Sequence, residues 1–229
     1  MIPGGPGYAP GVTDARIMLR PLANPLPLGF LALAGGTLLV SGLQLGWLAP
    51  DQGQDVALIL VAFVFPLQLV ASVFGYLARD VVAGTAMGLL AGTWLSVALV
   101  TLTAPPGSTS DALGLFLLLA GAAMLVPAAA SASGKVVPAA VLTTTAARFA
   151  ATGMYQLTAS GTWEDVAGVV GLVLCALAIY AAAAMALEDA RRSTVLPLGR
   201  RGVGRESMDG RFEEQHAQIE HEAGIRRQL

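Results

Sequence analysis

The sequence predicts an all-α integral membrane protein, a compact bundle of six transmembrane helices with both termini cytoplasmic. Three observations carry that reading. Of 229 residues, 55% are hydrophobic and 12% charged, and the mean hydropathy is +0.68. A soluble domain carries about 25% charged residues, so this chain has too little charge to cover a water-facing surface. The same numbers exclude a disordered chain and a nucleic-acid binder. Six apolar segments, 26–48, 56–78, 81–103, 112–130, 136–156 and 165–187, each approach the roughly 20 residues that cross a bilayer. Twelve of the thirteen Lys and Arg residues fall on one side of a six-span topology.

The chain opens with a Pro/Gly-rich leader, residues 1–23, which has neither the basic nor the apolar region of a signal peptide. Asn24-Pro25 then marks the start of helix 1, since Asn is a favoured cap and Pro a favoured first residue. That helix start presents free N–H groups and a positive dipole end, which suit an anion as well as a cap. Helix 1 carries Thr37, Ser41 and Gln44 at i, i+4 and i+7, and Gly42 and Gly46. Helix 2 holds Gln68 near its middle, just after Pro66, with Ser72 one turn on. Pro66 frees a carbonyl and bends the helix. Hydrogen bonding between helices, worth roughly 0.6 kcal/mol on average, explains Gln68 as readily as a solute path does. Thr37 and Ser41 read as packing residues, since a Thr or Ser hydroxyl can also bond a carbonyl of its own helix. Helix 3 carries Gly84, Gly88 and Gly92, a stripe that allows close backbone approach.

Short connections make sequential helices antiparallel, and no ten-residue alternating pattern suggests a β-barrel. Arg16 and Arg20 precede helix 1, Arg79 follows helix 2, Lys135 follows helix 4, and eight arginines from Arg191 to Arg227 follow helix 6. The loops after helices 1, 3 and 5 carry Asp51, Asp55, Asp111, Glu164 and Asp165 but no cation. By the positive-inside rule both termini are cytoplasmic. The six-helix region is expected over 24–199 and a charged cytoplasmic tail over 200–229. The stretch from Arg211 to Leu229 reads either as a solvated tail or as a helix docked through Phe212, Ile219, Ile225 and Leu229.

Arg148, the thirteenth cation, lies inside helix 5. A central Arg costs roughly +2.5 to +3.5 kcal/mol on insertion scales, so it should face the bundle interior. Thr144, Thr152 and Tyr155 share its helical face, with Thr145 beside it. The segments hold no carboxylate to pair with it away from their ends. The stripe reads as the lining of a path that attracts an anion, with bonding to helix carbonyls as the plain alternative. Enzyme chemistry finds little support. His216 and His221 lie in the tail, Cys175 has no histidine within the segments, and Ser133-Gly134-Lys135-Val136 lacks the frame of a phosphate loop. No metal or cofactor is expected.

NPLPLGF at Asn24–Phe30 resembles the NPAPLGL signature of the acetate uptake transporter family, the succinate–acetate permeases. AGVVGLVLCALAIY at Ala167–Tyr180 and STVLPLG at Ser193–Gly199 resemble the family's last helix and the segment after it, and Gln68 and Trp94 fall at family-like separation. The resemblance spans roughly residues 24–199. It implies a six-helix protomer assembled as a homo-hexamer, one path per protomer, passing acetate and related small carboxylates as a channel or with a proton. It also implies a hydrophobic constriction built from an aromatic of helix 1 and a tyrosine of helix 3. Counted from the signature and from Trp94, those positions hold Leu33 and Leu90 here. The family's glutamate near the end of helix 6 falls at Met185, just before Glu188 and Asp189, and the family pattern has no arginine at Arg148.

The sequence therefore predicts a plasma-membrane pathway for small monocarboxylates, with Arg148, Gln68, Asn24, Leu33, Leu90, Thr144, Thr152 and Tyr155 along it. Its partners are the carboxylate, the bilayer and further copies of itself, not nucleic acid. The competing readings are a channel for a neutral solute such as urea, a short amide or ammonia, and a sensor whose tail binds a partner.

Overall fold

The computed structural model describes residues 22–191 and 193–201. Six long helices fill it. They are α1 (Leu26–Gln44), α2 (Gly53–Ile59, a π-helical turn Leu60–Val64, then Phe65–Leu77), α3 (Val81–Thr103), α4 (Asp111–Ala132), α5 (Val136–Thr158) and α6 (Gly161–Arg191). Each helix packs on the next, and α6 closes against α1, so the six form a ring. Among the described residues there is no strand, only an isolated bridge between Lys135 and Arg200.

The distribution of polarity is the reverse of a soluble domain's. Leu119, Val126, Val173 and Val73 are exposed on the outside, while Thr37, Ser41, Gln68, Thr145 and Arg148 are buried within. An apolar exterior of this extent has no favourable contact with water and suits lipid. Five of the helices are long and apolar enough to cross a membrane, so the chain is a multi-pass membrane protein. The exception is α5, whose run Thr143–Thr145, Arg148, Thr152 and Gln156 replaces apolar side chains with polar ones.

Local chemistry sets the helix ends. Asn24 Oδ1 accepts from the Leu26 N–H at 3.0 Å, Asp80 Oδ1 from Ala83 at 2.9 Å, and Ser110 Oγ from Leu113 at 3.3 Å. These are side-chain caps on orphan amides. Helix α1 ends at Gln44, short of the expected 48. Gly46 turns into the left-handed region at φ 70°, and the Gly42 carbonyl accepts from both Trp47 and Leu48. In α2 the ring of Pro66 supplies no N–H, and the backbone answers with a π turn in which Phe65 donates to Leu60.

Helix α5 has no side-chain cap. The segment after α6 folds back instead. Gly199 and Leu198 offer their carbonyls to the Val136 and Val137 amides, each at 3.1 Å, and Arg201 donates to Gly134 at 2.9 Å. Leu198 is fully buried, Tyr180 Oη donates to the Pro197 carbonyl at 2.9 Å, and Arg200 pairs with Glu188. Gly199 sits at φ 64°, where an added Cβ would stand 2.8 Å from that of Val136.

The glycine stripe of α3 allows the close backbone approach its spacing predicts, and for two of its three members the neighbour lies within the chain. A Cβ on Gly84 would meet the Tyr76 ring at 2.8 Å, and one on Gly88 the Ser72 hydroxyl at 2.9 Å, so both serve the chain's own α2. Ser72 Oγ also donates to the Gly84 carbonyl at 2.7 Å. Only Gly92 faces open space.

Candidate functional site

Two cavities enter the ring from opposite ends, each of about 170 Å³. The distal vestibule opens among Pro50, Pro105, Ser110 and Glu164 and reaches down to Val40, Leu60, Val97 and Thr152. The terminal-side vestibule opens among Asp80, Ser131, Ser133 and Lys135 and reaches up to Phe30, Met87 and Leu142. On α1, α3 and α5 the deepest residues of the two cavities are ten positions apart, which is about 15 Å of helix. The layer between them holds Leu33 and Thr37 of α1, Leu90 and Trp94 of α3, and Thr145 and Arg148 of α5, all buried.

Arg148 is 2% exposed and stands in this layer. Its guanidinium carbon lies 5.5 Å from the centroid of the Trp94 ring. Nη2 donates to Gln44 Oε1 at 3.5 Å, and Gln44 Nε2 reaches Thr152 Oγ1 at 3.4 Å. Both contacts are at the long limit for a hydrogen bond. Gly171 of α6 makes room for the group, since a Cβ there would lie 2.6 Å from Arg148 Nε and collide with Ser41 Oγ. Arg148 Nε, Ser41 Oγ and Trp94 Nε1 are buried without a hydrogen-bond partner. Three donors from three helices thus stand unsatisfied in one layer. Buried polar groups are rarely left so, because each costs about 1–3 kcal/mol. Among the described residues no carboxylate pairs with Arg148. A buried cation with idle donors around it is the electrostatic complement of a small anion.

The structure brings Thr152 and Tyr155 to the wall of the distal vestibule, Tyr155 beside Glu164 at the rim. Thr144, one turn before Arg148, is half-buried and lines neither cavity. Leu33 and Leu90 are fully buried in the dividing layer. Gln68 stands apart from Arg148, with Nε2 donating to the Gly29 carbonyl at 3.4 Å and Oε1 unpartnered. Asn24 is exposed and occupied with its cap. Thr37 donates to the Leu33 and Ala34 carbonyls at 2.8 and 3.0 Å, the plain intrahelical reading. Ser41 departs from that reading, because its hydroxyl finds no carbonyl.

Sequence reasoning passed over Phe30 and Gln44 as site residues. Phe30 follows Gly29 in the opening motif and is buried at the inner limit of the terminal-side vestibule. Gln44 was visible as the last member of the Thr37, Ser41, Gln44 set, but its pairing with α5 depends on how α1 and α5 meet. At the terminal-side mouth, burial lowers the Lys135 pKa, helped by Arg200 and opposed by Asp80 and Glu188. Glu188, one turn beyond Met185, is the buried carboxylate at that end of α6.

The sequence matches the GPR1/FUN34/yaaH family over residues 7–198. No curated protein sequence matches the chain. Among solved structures, that of the bacterial acetate channel SatP is similar, with a TM-score of 0.70 and 27% identity. The match covers 78% of this chain and 99% of that one.

Proposed function

The chain belongs to the GPR1/FUN34/yaaH family, and from that membership we propose that it is a transmembrane pathway for acetate and related small monocarboxylates, a transporter or channel and not an enzyme. The observation that carries this reading is Arg148, a buried cation with no carboxylate partner among the described residues, in a layer between two vestibules. The likeness to the acetate channel SatP supports the same substrate class.

The path runs from one vestibule to the other through the layer of Leu33, Leu90, Trp94 and Arg148. A carboxylate entering that layer loses hydration, and the guanidinium, charged throughout the physiological range, offsets part of the cost. Ser41 Oγ and Trp94 Nε1 supply further donors on the same level. Leu33 and Leu90 form an apolar constriction that excludes hydrated ions by dewetting while a methyl group passes. Thr152 and Tyr155 hand the anion to the distal vestibule. Gln68 and Asn24, remote from the Arg148 layer, support the start of α1 in this reading.

All six helices span the plasma membrane, and α5 is carried across by its neighbours. The cations at the terminal side put both termini in the cytoplasm. The protein works as a homo-hexamer, each protomer with its own path. The lipid-facing apolar surface and the family resemblance of the sequence support these assignments.

The deciding experiment is counterflow of labelled acetate in proteoliposomes, with and without a proton gradient, for wild type and Arg148→Gln. Wild type is expected to exchange acetate, and well-folded Arg148→Gln to do so much more slowly. Passage of urea or a short amide in place of acetate would assign the path to neutral solutes. Accessibility of a cysteine at position 111 from the cytoplasmic side would overturn the topology.

A further inference from the structure

Gln44 occupies a peculiar place. It is the last residue of α1, it is buried, and it lines the distal vestibule. Arg148 does not line that vestibule, although Gln44 touches it. The carboxamide therefore stands between the open cavity and the buried guanidinium. Its Oε1 meets Arg148 Nη2 where one oxygen of a bound carboxylate would sit, and its Nε2 rests on Thr152.

Resting on the carboxylate reading above, we propose that Gln44 is a displaceable stand-in for the substrate, a side-chain lid that occupies Arg148 until a carboxylate arrives from the distal vestibule and takes its place. The chemistry favours exchange. A neutral amide oxygen on a guanidinium is a weaker acceptor than a carboxylate, whose charge-assisted bonds are roughly twice as strong and often bidentate. The two contacts holding Gln44, at 3.5 and 3.4 Å, are long and easily given up. The idle Nε of Arg148 and the idle hydroxyl of Ser41 gain partners only when something other than Gln44 occupies the site. The lid also explains how a buried Arg remains usable. It is partly satisfied when empty, so the layer does not collapse around it, and no tethered charge blocks it.

The carboxamide and the carboxylate differ by one group, which gives the test its resolution. In the full-length protein in proteoliposomes, acetate uptake is measured for Gln44→Ala, Gln44→Glu and Arg148→Gln, with thermal melting for each. Gln44→Ala removes the competitor, and the half-saturation concentration for acetate should fall about threefold to tenfold, the worth of one net hydrogen bond. Gln44→Glu supplies a tethered carboxylate at an effective concentration far above that of external acetate, and uptake should fall at least tenfold with melting unchanged or raised. An unchanged or higher half-saturation concentration in Gln44→Ala overturns the lid. Wild-type uptake by Gln44→Glu overturns it as well. If Arg148→Gln is inactive while both Gln44 variants behave as wild type, the lid alone fails. If Arg148→Gln transports as wild type, the Arg148 reading itself fails.

Discussion

The guanidinium carbon of Arg148 lies 5.5 Å from the centre of the Trp94 ring, a cation–π contact between α5 and α3 across the bundle. It is one of few attractive partners the arginine has inside the protein. Such a contact, removed from water, is worth about 2 kcal/mol. Trp94→Leu should therefore lower the melting temperature and slow acetate uptake, while Trp94→Phe, which keeps a ring face, should do less of both. Equal effects of the two substitutions would show that Trp94 acts by volume alone.

Leu33 and Leu90 are fully buried between the vestibules. Leu90→Ala should cost about 2–5 kcal/mol of stability through the cavity it leaves. If that cavity lies on the path, uptake of acids larger than acetate should rise relative to acetate. Uptake assays with acetate and longer monocarboxylates, run beside melting curves, separate the two effects. Loss of stability with unchanged selectivity would place Leu90 in ordinary packing.

Gly171 and Gly92 make a matched pair. A Cβ on Gly171 would collide with Ser41 Oγ and stand 2.6 Å from Arg148 Nε, whereas Gly92 has nothing within 4 Å. Gly171→Ala should displace the guanidinium and reduce uptake at least tenfold. Gly92→Ala should be neutral or stabilise the helix by up to about 1 kcal/mol. If the proposed homo-hexamer is found by mass in detergent and Gly92→Ala dissociates it, Gly92 lies in a subunit contact.

How much of this was legible in the sequence depends on the range of the physics involved. Helices are local, so hydropathy, with Asn24-Pro25 as the start signal of α1, revealed all six, with errors where a second force acted; the caps Asp80 and Ser110 emerged only in the structure. The end of α1 depends on Gly46 in the left-handed region. The ends of α6 extend to Gly161 and Arg191 because its polar flanks remain helical beyond the apolar run. Arg148 stood out because a charge in an apolar segment is costly wherever it points. Its neighbours did not, because Trp94, Gln44 and Gly171 meet it only through the closure of the ring. Thr144 shares its helical face by count, yet the neighbouring helices leave it outside both cavities.

Lys135 offers a pH test. Its pKa is lowered from the ordinary 10.5, first by burial and then by Arg200. The unfolded chain thus holds more protons between the lowered value and 10.5, and stability contributed by this group rises with pH across that window. Below it, charged Lys135 is a burden on the fold. Lys135→Met should melt higher than wild type near neutral pH, and the difference should shrink as pH approaches 10.5. A difference that grows with pH would reverse the assignment.

The amides that open α5 are closed by carbonyls from Leu198 and Gly199, more than sixty residues later in the chain. Helices leave the ribosome in order, so α5 emerges before its own cap has been made. Until α6 has followed and the segment behind it has turned back, the Val136 and Val137 amides lack their acceptors. The least apolar helix, which carries Arg148, is thus the one whose first turn is secured last. Assembly of the bundle is completed from the C-terminal end, and a chain interrupted between Arg191 and Leu198 has all six helices but an unfinished α5.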